Sequence, residues 1–221
     1  MLKKPRLLDL FCGAGGAAVG YHRVGFDVIG VDINPQPRYP FEFIQADAIA
    51  YASKHAHEFD VIHASPPCQY HNSLSKLNGQ KHGSSYLNLI PQTREVLRIS
   101  GRPYVIENVM GAKKHLTNPI MLCGTYFGLK VYRHRLFECQ PFILSPFWHY
   151  PHEDKSPGCS GDRTSPKGFI TVCGGKGGGF KLQPASDAMG ISWMQRTELA
   201  QAIPPAYTEW IGLQMLSRVT K

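Results

Sequence analysis

The sequence predicts an α/β fold, a parallel sheet covered by helices that carries a small loop-rich lobe. Three observations predict it. Residues 6 to roughly 140 alternate short apolar runs with helix-like or loop stretches, the pattern of strands joined by crossovers. The stretch Pro141–Gly168 then turns rich in Pro, Gly, Ser and His and loses periodicity. Helical patterning returns near the end, where Ala206–Val219 reads as a closing helix. The expected organisation is a sheet domain over 1–140, a lobe over 141–185 and a C-terminal segment over 186–221 that returns to the sheet.

Taken in order, the first strand is Arg6–Phe11, followed by a glycine turn and a helix of small residues over Gly15–Val24. Further strands are expected at Asp27–Asp32, Phe41–Asp47 and Phe59–Ser65, the last broken by Pro66-Pro67. A helix follows over Tyr86–Ile99, with Pro91 tolerable only in its first turn. Strands at Pro103–Val109 and Ile120–Phe127 complete the set, and Tyr132–Phe137 reads as extended. Apolar patterning resumes at Gly168–Cys173, breaks at the run Gly174–Gly179, and becomes helical from Arg196 with an interruption at Pro204-Pro205.

The chain has 221 residues, 43% hydrophobic and 18% charged, enough for one α/β core and a small appendage. No apolar run approaches the roughly 18 residues of a membrane span. Met1–Arg6 leads straight into a strand pattern without a signal-peptide layout, so a cytoplasmic location is expected. Cys12, Cys68, Cys123, Cys139, Cys159 and Cys173 are scattered with no CxxC pair, and free thiols are expected there. A net charge of +8 favours a polyanionic partner, because Lys and Arg release counterions condensed on phosphates.

Two groups of residues carry chemistry. At one end of the site, glycines follow the first strand in Phe11-Cys12-Gly13-Ala14-Gly15-Gly16, where backbone N–H groups can approach a ligand at a helix N-terminus. Asp32 ends the next strand, at the distance past a glycine turn that suits ribose hydroxyls, and Asp47 ends the third, suited to an adenine amine. The plainer reading is a tight turn with two acidic helix caps. The dinucleotide GxGxxG spacing fails, since residue 18 is Ala and Gly20 comes too late, which favours S-adenosylmethionine (AdoMet) over NAD.

At the other end, Pro66 and Pro67 stiffen a loop that aims Cys68 from the carboxyl edge of the sheet. Alone, such a thiol is more often inert than not. Glu107 reaches the same edge in Glu107-Asn108-Val109, and an acid beside a nucleophile invites proton transfer. Arg133 and Arg135 lie on one face of an extended segment, apt for a carbonyl oxygen or an oxyanion.

These segments, in this order, resemble the cytosine-C5 DNA methyltransferase family: Asp9–Gly16, Asp32, Asp47, Pro66-Pro67-Cys68-Gln69, Glu107-Asn108-Val109, Arg133-His134-Arg135 and Ala202-Ile203-Pro204-Pro205. The resemblance covers most of the chain except roughly 140–185. It implies a Rossmann-like AdoMet-dependent methyltransferase fold, AdoMet as cofactor, and double-stranded DNA as partner. Phe11, Gly13, Gly15, Asp32, Asp47 and Pro66 are the implied cofactor-binding positions. In the implied mechanism the Cys68 thiolate attacks C6 of a flipped cytosine while protonated Glu107 hydrogen-bonds N3. Arg135 holds the O2 carbonyl and the Glu107 carboxyl group, with Arg133 nearby or on phosphate. The resemblance also suits a phage or restriction–modification setting. Rival readings are a cytosine methyltransferase of RNA or free nucleotides, and a non-catalytic DNA-binding relative. The joint presence of Cys68, Glu107 and Arg135 argues against the last.

Departures from the family are local. Val131 stands where a Gln is usual, and Ala200-Gln201 replaces the usual Gly-Asn before Ala202-Ile203-Pro204-Pro205. His149, His152, Cys159 and Cys173 offer zinc-ligand types, but their spacing is irregular and no metal is expected. The run Gly174–Gly179 lacks the Lys-Ser/Thr of a phosphate loop and reads as a hinge or a close backbone approach. Only about sixty residues remain for target recognition, and readout needs several side chains on base edges. A very short or loose recognition site is therefore expected. Bisulfite sequencing of DNA from a host expressing the protein checks this, and methylation confined to a site of six or more bases refutes it.

Overall fold

Seven strands form one sheet in the order β3-β2-β1-β4-β5-β7-β6. The strands are β1 (Arg6–Leu10), β2 (Asp27–Asp32), β3 (Glu42–Gln45), β4 (Val61–Ala64), β5 (Tyr104–Asn108), β6 (Ile120–Leu122) and β7 (Arg135–Gln140). The computed structural model describes residues 3–67, 87–147, 149, 152, 168–173 and 179–219. Cys68, Cys159, and residues 153–167 and 174–178 of the lobe and glycine run lie outside them.

The first five strands are parallel, and β7 enters antiparallel between β5 and β6. That reversal matters for the site. Antiparallel pairing brings the beginning of β7 to the carboxyl edge of β5, so Asn108 lies opposite Leu136 and Glu107 opposite Phe137.

Strand β1 is buried on both faces, and its side chains alternate between two cores. Leu7 faces one apolar cluster with Tyr21, Phe26, Tyr207, Ile211 and Met215. Leu8 and Leu10 face another with Ile62, Ile90, Leu97 and Ile106. Helices α1 (Gly16–Arg23) and α6 (Pro205–Val219) supply the first cluster. Helices α2 (Ala48–His55) and α3 (Ile90–Ser100) supply the second. A third cluster joins Val131, Ile170, Val172 and Phe180 to Met189 of α4 (Leu182–Met189) and Leu199 of α5 (Arg196–Leu199).

Most expected strands appear at or within a few residues of their predicted bounds. The exception is Ile120–Phe127, which stops at Leu122 and turns into a 3-10 helix over Gly124–Phe127. Close packing accounts for it: a Cβ on Gly124 would lie 2.4 Å from the carbonyl oxygen of Val131, room that a side chain does not leave. Helix α3 begins with Pro91 in its first turn, as anticipated. Helices α2 and α4 were not anticipated. The first is capped by Asp47, whose carboxylate accepts from the Ala50 amide; the second ends at left-handed Gly190.

Arg94 of α3 fixes that helix to β7. It forms a two-pronged pair with buried Glu138 at 2.7 and 2.6 Å, and the Thr117 amide also donates to Glu138 at 2.7 Å. Cys12, Cys123 and Cys139 are free, as expected, but Cys173 is disulfide-bonded. Sequence spacing does not reveal that pairing. No described helix is long and apolar enough to cross a membrane.

Helices α1 and α6 meet through glycine. A Cβ on Gly20 would sit 2.1 Å from both the Pro205 carbonyl oxygen and Thr208 Oγ1. Thr208 Oγ1 meanwhile donates to the Ala17 carbonyl at 2.7 Å. Gly20→Ala therefore forces the helices apart and costs at least the ~1–3 kcal/mol typical of overpacking. A lowered urea midpoint at unchanged m-value is the expected result.

Candidate active site

The turn after β1 is built from unusual backbone. Phe11, Gly13 and Gly15 have φ of +56°, +49° and +84°. A positive φ at Phe11 costs energy that glycine avoids, and such strain concentrates at ligand sites. Gly13 donates its N–H to Asp32 Oδ2 at 3.1 Å, and the Asn34 amide donates to Oδ1 at 2.9 Å. The glycine turn and the end of β2 are thus one unit. Helix α1 starts with no acidic residue and no side-chain cap, which leaves its dipole end to a ligand carboxylate. Asp47 is first a helix cap through Oδ1, the plainer of its two expected roles, and only its other oxygen is outside that bond. The donor set fits AdoMet: main-chain N–H groups at the turn, and carboxylates at the ends of two adjacent strands.

The C-terminal return borders this turn. A Cβ on Gly16 would lie 2.6 Å from the Ile203 carbonyl oxygen, and Trp193 Nε1 donates to the Ala14 carbonyl at 2.8 Å. Gln201, the replacement for the usual Asn, is exposed.

At the reactive end, Asn108 is buried and its Nδ2 donates to the Pro66 carbonyl at 2.9 Å. This bond ties the proline loop to the tip of β5, beside Glu107. The described chain stops at Pro67, one residue before Cys68. Arg135 Nε lies 3.1 Å from Glu107 Oε1, an ion-pair contact without hydrogen-bond alignment, since Oε1 is buried with no hydrogen-bond partner among the described residues. Burial pushes the Glu107 carboxyl above its ordinary range. Arg135 offsets this first, followed by the neighbouring Ser65 hydroxyl and then Arg133. The net direction is upward, toward a carboxyl that can hold a proton and present it.

A buried polar chain leads to that carboxyl. The Tyr21 hydroxyl lies 3.0 Å from His63 Nδ1, and His63 Nε2 lies 3.0 Å from Ser65 Oγ. Burial pushes His63 down to about 3, so the ring is neutral and one nitrogen accepts while the other donates. Sequence reasoning passed over Tyr21, His63 and Ser65. A period-two pattern through β4 was the available signal: His63 and Ser65 fall on one face.

The expectation put Arg133 near the base or on phosphate. It lines the same cleft as Arg135. Its buried guanidinium donates to main-chain carbonyls of Val172 at 2.6 Å, Ala202 at 2.8 Å and Ala200 at 2.9 Å. The reason is local: β-pairing of the preceding residues, with Tyr132 N bonded to Ile170 O at 3.0 Å and Ile170 N to Lys130 O at 3.0 Å, turns alternate side chains inward. Val131, where a Gln is usual, is likewise buried in the third cluster. A cleft of about 260 Å³ opens between Val109–Gly111, Tyr132–Arg135 and Thr171–Cys173. His149 and His152 also converge, with Cys123 and His134 rather than with Cys173.

A seven-stranded sheet with its seventh strand reversed, a strained glycine turn at the first strand and an acid at the end of the second defines an AdoMet-dependent methyltransferase fold. The family profile of the C-5 cytosine-specific DNA methylase matches residues 5–122, more than half of the chain, and the protein belongs to that family. AdoMet is accordingly its methyl donor. The fold is similar to that of the Entamoeba histolytica methyltransferase EhMeth, at 14% identity and TM-score 0.63 over 100% of both chains. It is also similar to the S. pombe Dnmt2 methyltransferase, at 13% identity and TM-score 0.59 over 99% of this chain and 100% of that one. A third likeness is to a Spodoptera frugiperda DNMT2 mutant, at 13% identity and TM-score 0.57 over 96% and 99%. No curated protein sequence matches the chain.

Asp9 gives a stability signature. It is buried in β1, with Oδ1 unpartnered among the described residues and Oδ2 accepting from Tyr39 at 3.3 Å. Burial lifts its carboxyl to about 8, the Tyr39 bond opposes this, and the charge of Asp32 adds to it. Between about pH 4 and 8 the folded chain therefore holds a proton that the unfolded chain has lost, so stability falls as pH rises. The slope approaches about 1.4 kcal/mol per pH unit. Asp9→Asn removes this term, and urea titrations from pH 5 to 8 should show the variant gaining on the wild type as pH increases.

Proposed function

We propose that the protein methylates C5 of cytosine in double-stranded DNA through a covalent adduct on Cys68. The observation that carries the reading is the buried Glu107–Arg135 pair beside a proline loop anchored by Asn108. Bound AdoMet supplies an electrophilic methyl group. The remaining work falls to the chain. The Cys68 thiolate forms a bond to C6, and the electron pair of the C5–C6 double bond moves toward C5. Glu107, holding a proton because burial raises its carboxyl, hydrogen-bonds N3 and stabilises the charge that develops on the ring. Arg135 fixes the Glu107 carboxyl and donates to the O2 carbonyl. Once C5 is methylated, a base removes its proton, the double bond re-forms and the thiolate leaves.

A stacked base is out of reach of this chemistry, so the cytosine flips into the site. The cleft beside Arg135 supports this, being open to solvent and lined by Arg133, His134 and Arg135. Met110 and Gly111 on its rim belong to the same short helix as the exposed basic pair Lys113 and Lys114, which suits a phosphate backbone. We further read the setting as cytoplasmic, in a phage-infected or restriction–modification host. Residues 141–185 act as the recognition lobe in this reading.

Duplex DNA carrying 5-fluorocytosine tests the mechanism, since C5 then has no proton to release. With AdoMet present, a denaturation-resistant protein–DNA adduct is expected from the wild type and none from Cys68→Ser. Absence of the wild-type adduct alongside measurable methylation of ordinary DNA overturns the covalent step. Methyl transfer to duplex DNA, tRNA and dCMP in competition decides the acceptor, with preference for tRNA or dCMP overturning the DNA reading.

A further inference from the structure

We propose that Cys123, His134, His149 and His152 form a structural zinc site that fastens the lobe to the sheet. Their candidate ligand atoms all lie within 4.8 Å of one another. Cys123 Sγ is already 3.4 Å from His152 Nε2. Tetrahedral zinc, with Zn–S near 2.3 Å and Zn–N near 2.0 Å, spaces its ligand atoms about 3.3–3.5 Å apart. The widest pair therefore closes by roughly 1.5 Å, within reach of side-chain rotation.

The surroundings fit a metal better than they fit a hydrogen-bonded histidine cluster. Cys123 is fully buried and the three histidines are half-buried. Nε2 of His149 is buried with no hydrogen-bond partner among the described residues, although such groups are normally satisfied. The three imidazoles crowd one another, with centroids 4.8, 5.0 and 5.6 Å apart and inclined at 30° to 62°, the arrangement of rings turned toward a common point. Tyr132 stacks on His152 at 4.0 Å and fixes its plane.

The donor chemistry selects the metal. One thiolate and three imidazoles suit zinc, whereas magnesium and calcium take oxygen ligands that this cluster lacks. Four protein ligands fill a tetrahedral shell and leave no open position, so the role is structural. The site also connects separate segments of the chain. Cys123 follows β6, His134 precedes β7, and His149 and His152 come from the loop-rich lobe. Because His134 stands between Arg133 and Arg135, the metal would fix the backbone that carries Arg135. Zinc was not expected from sequence, where Cys159 and Cys173 were the thiols considered; Cys173 is disulfide-bonded instead.

The test uses the full chain saturated with zinc, then dialysed against metal-free buffer. Elemental analysis should find about one zinc per chain. Cys139→Ser should keep it, while Cys123→Ser and His149→Ala should lose it. Cobalt(II) in place of zinc should give intense tetrahedral d–d bands and a thiolate-to-cobalt charge-transfer band in the unaltered protein, a readout that needs no variant to fold. Substoichiometric zinc after saturation overturns the proposal. So does full retention in both ligand variants, or a weak octahedral cobalt spectrum without charge transfer.

Discussion

Arg133 donates to the carbonyls of Val172, Ala200 and Ala202 while its own carbonyl accepts from Tyr207 at 2.5 Å. One residue thereby joins the strand that delivers Arg135, the returning end of the lobe, the segment before Pro204 and the last helix. A buried guanidinium is costly unless other groups replace its lost water, and bonds to a charged group are worth about 1.5–3 kcal/mol each. The burial also makes the clamp exacting. Lysine, with a point charge and no planar fork, does not reach three diverging carbonyls in this way.

The Glu107 carboxyl depends on that frame. Glu107 is raised by burial and lowered by Arg135, Ser65 and Arg133, so its protonation reflects a balance of opposing effects. The balance holds only while β7 stays in register with β5, because Arg135 reaches Glu107 from the neighbouring strand. Tyr21 and His63 extend the polar chain to the face covered by α1. The glycine-turn helix and the end of β4 therefore share a wall.

Much of this was legible from sequence. The strand ends bearing Asp32, Pro66 and Glu107 are marked by apolar runs that stop at turn residues, and local pattern suffices to find them. Asp47 was legible as an acid at a strand end and, in the plainer reading, as a helix cap, but the extent of α2 was not, because Ala48–His55 has only two buried residues and a weak apolar stripe. The role of Arg133 was not legible. Its partners are carbonyls, which have no residue identity to read, and they lie far along the chain. The Cys123–His134–His149–His152 group escaped for a related reason, since its members come from three segments with no motif spacing.

The dependence of α1 on α6 has a temporal side. Gly16 and Gly20 rest on Ile203, Pro205 and Thr208, and Ala14 on Trp193. During synthesis the glycine turn after β1 is made long before the partners it packs on. Until those arrive, Tyr21 and Ala17 lack the apolar cover of Tyr207, Ile211 and Met215. Such long-range closure slows folding and leaves a sticky surface on the nascent chain. A ribosome stalled before Trp193 would thus hold a sheet whose first glycine turn lacks the segment it packs against.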